Sequence, residues 1–416
     1  MNILILVWSY LKSRPLNTAI NSILLSLGIA MITILLLFNK QLEQKITENA
    51  RGIDLVVGAK GSPLQLILCN IFHIDFPTGN IKLNEAEKIS SHRLVKRSIP
   101  LALGDSYQSY RIIGTNKAYA DLYHAKIAEG DWWEKTLEVN LGSNAAKLTG
   151  LKIGDTFASA HGLMDGGHAH NEHQYVVKGI LAPTYTVLDN LILTNVESVW
   201  VMHEEGEAEH HETDEVPGAD ARSPLIPSIA AGDSTKEITS ILIQYRSAMG
   251  AIQLPRLING QTKLQAASPA FETARLFSIL GVGMEILMGF AYVLIIISAL
   301  SIFIALYNSL KERRYDMAIL RSMGASRKKL LVSILLEGGL LTLTGSCLGM
   351  LIGHGMVELL AITITETQKT GITGMIFFRE EWIILVGSLL LGLICAVVPA
   401  IQAYRTDISK VLGGRI

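Results

Sequence analysis

Four long apolar runs set what this chain can become. Thr18–Phe38, Phe277–Leu310, Leu330–Leu360 and Trp382–Tyr404 are dominated by Leu, Ile, Val, Ala and Gly. About 20 such residues are what an α-helix needs to cross the hydrocarbon core of a bilayer. A helix satisfies its own backbone hydrogen bonds there, which an isolated strand cannot do. The runs therefore predict a bundle of four transmembrane helices, each tilted or extended beyond the lipid where it exceeds the bilayer thickness. Composition agrees, with 49% of the 416 residues hydrophobic and 18% charged. The first run competes with a cleaved signal peptide. It is long, and no small-residue cleavage site follows Asn39-Lys40, so it reads as an uncleaved span.

Lysine and arginine orient the bundle. Lys12 and Arg14, the cluster Lys311, Arg313, Arg314, Arg321, Arg327, Lys328 and Lys329, and then Arg405, Lys410 and Arg415 all fall on one side of a four-span arrangement. By the positive-inside rule that side is the cytoplasm. The expected partition is an amphipathic cytoplasmic segment over 1–16, a first span over 17–39 and an extracytoplasmic domain over 40–276. A second span over 277–310, a cytoplasmic segment over 311–329, a third span over 330–361, an outer loop over 362–380, a fourth span over 381–404 and a tail over 405–416 follow. The inserted domain shows mixed α and β patterning. Tyr110–Gly114, Gln174–Leu181, Leu191–Thr194 and Ile241–Tyr245 are short β-branched runs, and Ala86–Ser90 and Gly142–Leu148 read as helical. The fold class is thus a membrane α-helical bundle with a large α+β extracytoplasmic domain between the first two spans. With three dispersed cysteines no disulfide framework is available, and a net charge of −1 implies no nucleic-acid partner.

The stretch Lys311–Glu337, the cytoplasmic segment with the start of the third span, is the most informative. Arg313–Met323 predicts a short helix with Tyr315, Ala318, Ile319 and Met323 as its apolar stripe. Gly324 then supplies a C-cap, and Ser326 an N-cap for the next helix. Glu312-Arg313, Asp316, Ala318, Arg321 and Gly324-Ala325, followed by a helix carrying Glu337, resemble the signature of the FtsX-like, MacB-type permeases of ABC transporters. Asp316 stands where that family usually has Glu, which keeps the charge and shortens the reach. In the inserted domain RIIGTNKAYADLY, EGDWW, LGSNAAKLTGLKIGDTF and YVVKGILAPTYTVLD are similar to the outer domain of the same family. There, Gly142 to Asp155 forms a helix and turn leading into a strand. The tail VVPAIQAYRTDISKVLGG extends the likeness.

The resemblance implies a coupling helix that fits a cleft of a separate ATPase, with Glu312, Arg313, Asp316, Ala318, Ile319, Arg321, Gly324 and Ala325 as the coupling residues. It implies no enzymatic activity in this chain and ATP only on the partner. Consistently, no Walker A loop, GxxxxGK[ST], is present; Gly58-Ala59-Lys60-Gly61-Ser62 has the wrong order. The expected partners are that ATPase, a second copy of the chain, the bilayer, and a periplasmic adaptor or substrate-binding protein. The expected location is the bacterial cytoplasmic (inner) membrane. The function so implied is mechanical coupling of ATP hydrolysis to work outside the cytoplasm, as efflux of a periplasmic substrate or lipoprotein release.

Three further features stand apart. Gly345, Gly349 and Gly353 line one helix face at four-residue spacing, which lets a neighbouring helix approach closely and marks a subunit or intra-bundle seam. Glu285, His354 and Glu358 are placed near the outer membrane interface. Seven histidines, His161, His168, His170, His173, His203, His210 and His211, cluster in two glycine- or glutamate-rich stretches. Imidazole and carboxylate together suit Zn²⁺, at spacings unlike those of a fixed structural or HExxH site. The alternatives to a transporter subunit are therefore zinc handling through these loops, or a signalling subunit that controls an outer partner without moving cargo. Finally, Leu64, Leu66, Ile67, Ile71 and Phe72 make Arg51–Ile81 apolar enough to pack on the domain, contact lipid or line an entrance; packing is the expectation.

Overall fold

The computed structural model describes residues 7–9, 12–13, 15–160, 173–204, 236–363 and 371–405. The chain divides into two compact units, one of Met1–Glu43 with Ile279–Ile416 and one of Gln44–Ser278. Helix α1 (Pro15–Asn49) carries the first apolar run and continues past it through QLEQKITEN, where neither Gly nor Pro interrupts the helix.

The second unit is built on one broad sheet. Its elements begin with β1 (Leu55–Ala59), α2 (Pro63–Asn70), β2 (Ile81–Lys82), α3 (Leu83–Ser90), β3 (Val95–Tyr107) and β4 (Tyr110–Gly114). Then come α4 (Lys117–Leu122), β5 (Ile127–Gly130), β6 (Glu138–Leu141), α5 (Ser143–Thr149), β7 (Thr156–Phe157) and β8 (Tyr175–Leu181). The unit closes with β9 (Leu191–Thr194), α6 (Val196–Glu204), β10 (Glu237–Ile238), β11 (Ser240–Tyr245), α7 (Ala248–Gln261) and β12 (Leu264–Ala267). Ten described strands form the sheet in the order β12-β1-β11-β3-β4-β9-β6-β8-β5, with β7 beside β8. The β4–β9 and β6–β8 pairs are parallel, and the other pairs antiparallel.

Side chains alternate across the strands, as the period of two requires. On β1, Val56 joins one core and Leu55 and Val57 the other. On β11, Leu242 faces the first core and Ile241 and Ile243 the second. On β9, Leu191 and Leu193 share the first core while Ile192 enters a third. A strand covered on both faces reads as an unbroken apolar run, which is why LVVGA and SILIQY show no polar alternation. The apolar stretch after α1 packs as expected: Leu66, Ile67 and Ile71 are buried in the first core, and Phe72 packs against it. Helix α2 starts there because Ser62 accepts a hydrogen bond from Gln65 N at 3.4 Å and Pro63 opens the first turn.

The remaining elements are α8 (Pro269–Glu312), α9 (Arg314–Ser322), α10 (Arg327–Thr363) and α11 (Glu381–Tyr404). With α1, helices α8, α10 and α11 are the four described helices long and apolar enough to cross a membrane. The fold class is the expected one, a four-helix membrane protein with a large α+β domain between its first and second spans. Helix α8 begins earlier than residue 277, because PAFETARL opens it with Pro269 in the first turn and holds nothing that would stop it.

Candidate functional site

Helix α9 lies between two membrane helices and has two unlike faces. Met317 is buried in a cluster with Leu310 of α8, Leu330 and Ile334 of α10, and Ala400 and Ala403 of α11, and Ala318 next to it is buried too. The outward ridge is Tyr315, Ile319 and Met323, spaced i, i+4, i+8 and exposed by 58%, 37% and 79%. The helix stops where the sequence says it should. Gly324 takes a left-handed φ of 100°, Ala325 N bonds Leu320 O and Gly324 N bonds Arg321 O, each at 3.0 Å. This is the Schellman pattern. Ser326 Oγ then accepts from Lys329 N at 3.3 Å and caps α10.

Two residues expected to couple turn inward instead. Ala318 has no exposed surface. Arg313 Nη1 lies 3.5 Å from Glu337 Oε2, with both side chains about nine-tenths buried. A buried guanidinium needs such a carboxylate, and the pair ties the entry of α9 to α10. Glu312, Arg314, Asp316 and Gly324 are exposed, and Arg321 and Ala325 half-buried. The exposed face therefore belongs to Tyr315, Ile319 and Met323 with charged neighbours, while Arg313 and Ala318 hold it in place.

The glycine repeat faces α1. A Cβ on Gly345 would lie 3.0 Å from Leu25, one on Gly349 2.7 Å from Ser26 O and Ile29 Cβ, and one on Gly353 2.8 Å from Thr33. The seam is thus inside the bundle. The opposite side of α10 carries a second seam that no repeat announced: Gly338 lies against Ala396, and Ser346 Oγ donates to Ser388 Oγ of α11 at 2.6 Å. Close packing of small residues supplies the association that hydrophobicity cannot supply in lipid.

At the outer end, the segment after residue 371 is strapped to three helices. Gln41 of α1 donates to Thr373 O at 2.8 Å and accepts from Thr373 N at 2.9 Å. Glu358 Oε2 accepts from Thr373 Oγ1 at 2.7 Å and Gly374 N at 2.8 Å. His354 Nδ1 is 2.5 Å from Gly374 O and its Nε2 2.8 Å from Glu381 Oε2, while Phe377 stacks on the ring. Glu381 also accepts from Phe378 N at 2.8 Å and is wholly buried. The sequence places His354 and Glu358 near the interface, but Gln41, Thr373 and Glu381 carry no local signal, being joined only by the fold. Glu285 is exposed on α8.

Of the histidines, His161, His168, His170, His210 and His211 lie outside the described residues. His173 is described, and so is the backbone of His203 in α6. Among the described residues, no group of three or more His, Cys, Asp or Glu side chains is arranged so that it could hold a metal ion.

Comparison with known proteins gives the following. Residues 288–408 match the FtsX-like permease C-terminal family. An uncharacterized ABC transporter permease of Methanocaldococcus jannaschii is 26% identical over 137 residues, covering 33% of this chain and 34% of the relative. The chain thus spans about a third of the length of that curated relative. Solved structures overlap the chain as well, among them the two that follow. The periplasmic region of MacB from Actinobacillus actinomycetemcomitans has a TM-score of 0.33 and 15% identity over 56% of this chain and 98% of that one. The extracellular domain of the noncanonic ABC-type transporter YknZ from Gram-positive bacteria has a TM-score of 0.29 and 14% identity over 52% and 99%. Residues 288–408 hold α9, α10 and α11 together with most of α8, and it is this part of the multi-pass membrane protein that is similar to the FtsX-like permeases.

Proposed function

We propose that the chain is the permease-like subunit of an ABC complex, and that it passes the stroke of a separate ATPase to work done outside the cytoplasm. The carrying observation is the two-faced helix α9. Its inner face is fixed by Met317, Ala318 and the Arg313–Glu337 pair, and its outer ridge of Tyr315, Ile319 and Met323 is uncovered. An amphipathic helix with its apolar side already packed has little reason to carry a second apolar ridge beside charged residues unless a partner groove receives it. Rigid attachment to α8, α10 and α11 lets movement of that helix move the spans. ABC ATPases work in pairs, so two copies of this chain complete the complex. The work itself is efflux of a periplasmic substrate or release of a lipoprotein.

The test is a double substitution, Ile319→Asp with Met323→Asp, on the exposed ridge. Loss of apolar contacts at the centre of an interface typically costs about 2 kcal/mol or more, or roughly 30-fold in affinity. Co-purification with the ABC ATPase should fall by at least that factor, while thermal unfolding of the variant matches wild type. Undiminished assembly would rule out α9 as the docking element. Ala318→Asp is a poor substitute, because it buries a charge inside the bundle.

A further inference from the structure

The outer half of the membrane unit holds a cavity of about 820 Å³ between α10 and α11. Its walls are apolar, with Leu351, Leu359, Trp382 and Leu385 among them, and its polar end is made by His354, Glu358 and Glu381. The size and the pattern, apolar walls with a few convergent polar groups, are those of small-ligand sites. Gly355 also lines it, and a Cβ there would meet nothing within 4 Å.

The charge of the polar end follows from proton counting. One nitrogen of His354 faces a carbonyl oxygen and the other a carboxylate. Both contacts are satisfied either by imidazolium with carboxylate or by imidazole with carboxylic acid, and the pair is neutral in both forms. Glu358 accepts two hydrogen bonds on Oε2, from a hydroxyl and a backbone N–H, as an ionised carboxylate does. Its Oε1 has no hydrogen bond among the described residues. The polar end therefore carries about one net negative charge and offers an acceptor beside an apolar chamber.

We propose that this cavity binds the acyl chain of an outer-leaflet phospholipid whose headgroup carries a primary ammonium. The chain lies along Leu351, Leu359 and Leu385, and the ammonium donates to Glu358. The cavity lies within helices that cross the bilayer, so lipid is the occupant with direct access, and Trp382 stands where indole rings favour the headgroup level. An anionic headgroup without an ammonium would meet Glu358 repulsively. The site is independent of the ATPase partner proposed above and is testable without it.

The experiment uses the full chain in nanodiscs, with phosphatidylethanolamine or phosphatidylglycerol bearing the same photoactivatable acyl chain. After irradiation, labelled peptides of α10 and α11 are quantified by mass spectrometry. Labelling by the phosphatidylethanolamine probe should exceed that by phosphatidylglycerol several-fold. Gly355→Leu should fill the cavity and reduce labelling of its lining peptides by most of its amplitude, with unchanged elution volume and unfolding temperature. Glu358→Gln should leave the labelling but erase the headgroup preference. Equal labelling by the two probes in wild type, or labelling indifferent to Gly355→Leu, would overturn the proposal and leave a groove wetted by bulk lipid. A phosphatidylcholine probe that labels as well as phosphatidylethanolamine would overturn the primary-ammonium assignment.

Discussion

Acid should loosen the first core of the extracytoplasmic domain, and His73 is the reason. Its Nε2 lies 2.8 Å from Tyr119 Oη in a T-shaped ring contact, with Arg111 near enough to repel a second positive charge. Burial, and then the Arg111 guanidinium, push the imidazole down to about 3, from an ordinary value near 6.5. Between those two values the unfolded chain binds a proton that the folded domain refuses. Stability from this group is therefore fully present above pH 6.5 and lost as pH falls toward 3, by about 1.4 kcal/mol per pH unit once well below 6.5. At pH 5 the loss is about 2 kcal/mol. His73 has φ = 56°, so Asn, which tolerates that region, is the suitable non-titrating replacement. Denaturant midpoints followed by tryptophan emission report the same core, since Trp133 is buried in it. The wild-type protein should lose about 2 kcal/mol more than His73→Asn between pH 7 and pH 5. Every other titrating group is common to both, so an equal pH dependence in the two proteins would refute the reasoning.

Two further outcomes follow from the seam and from the histidine-rich stretches. Gly349→Ala should cost about 1–3 kcal/mol, because its Cβ would sit 2.7 Å from Ser26 O and Ile29 Cβ. Gly387→Ala, with nothing within 4 Å, should be neutral in the same thermal-unfolding assay. For the histidines, calorimetric titration with Zn²⁺ should show binding that weakens from pH 7 to pH 5 as protons compete for the ring nitrogens. Replacing His168, His170, His210 and His211 by Ala should remove most of it; binding equal to wild type would reduce these residues to loop composition.

The sequence by itself determined what depends on local composition and spacing. Runs such as Thr18–Phe38 must find lipid whatever surrounds them, so the four spans could be read directly, as could the basic clusters that orient them. The short helix ending at Gly324 was equally legible, because capping is decided by a few neighbouring residues. YRIIG, LILT and QYVVKGIL were recognisable strands for the same reason. Val95–Tyr107 was not: Pro100 and Gly104 interrupt its pattern, and only pairing with β11 on one side and β4 on the other makes it a strand.

What the tertiary structure decided was which face of each element meets which neighbour. Periodicity put Ala318 in one stripe with Tyr315, Ile319 and Met323. Packing separated it from them: Ala318 turns in beside Met317, which sits against Leu310, Leu330 and Ala403, and the other three stay out. The glycine repeat announced a close approach without naming α1 as the partner, since a helix face carries no record of what it will meet. The outer cavity is the clearest case. His354 and Glu381 stand 27 residues apart, on different helices, and neither has a neighbour in sequence that marks it. Only the antiparallel packing of α10 on α11, set by small residues such as Gly338, Ser346 and Ser388, brings imidazole, carboxylates and apolar walls to one place.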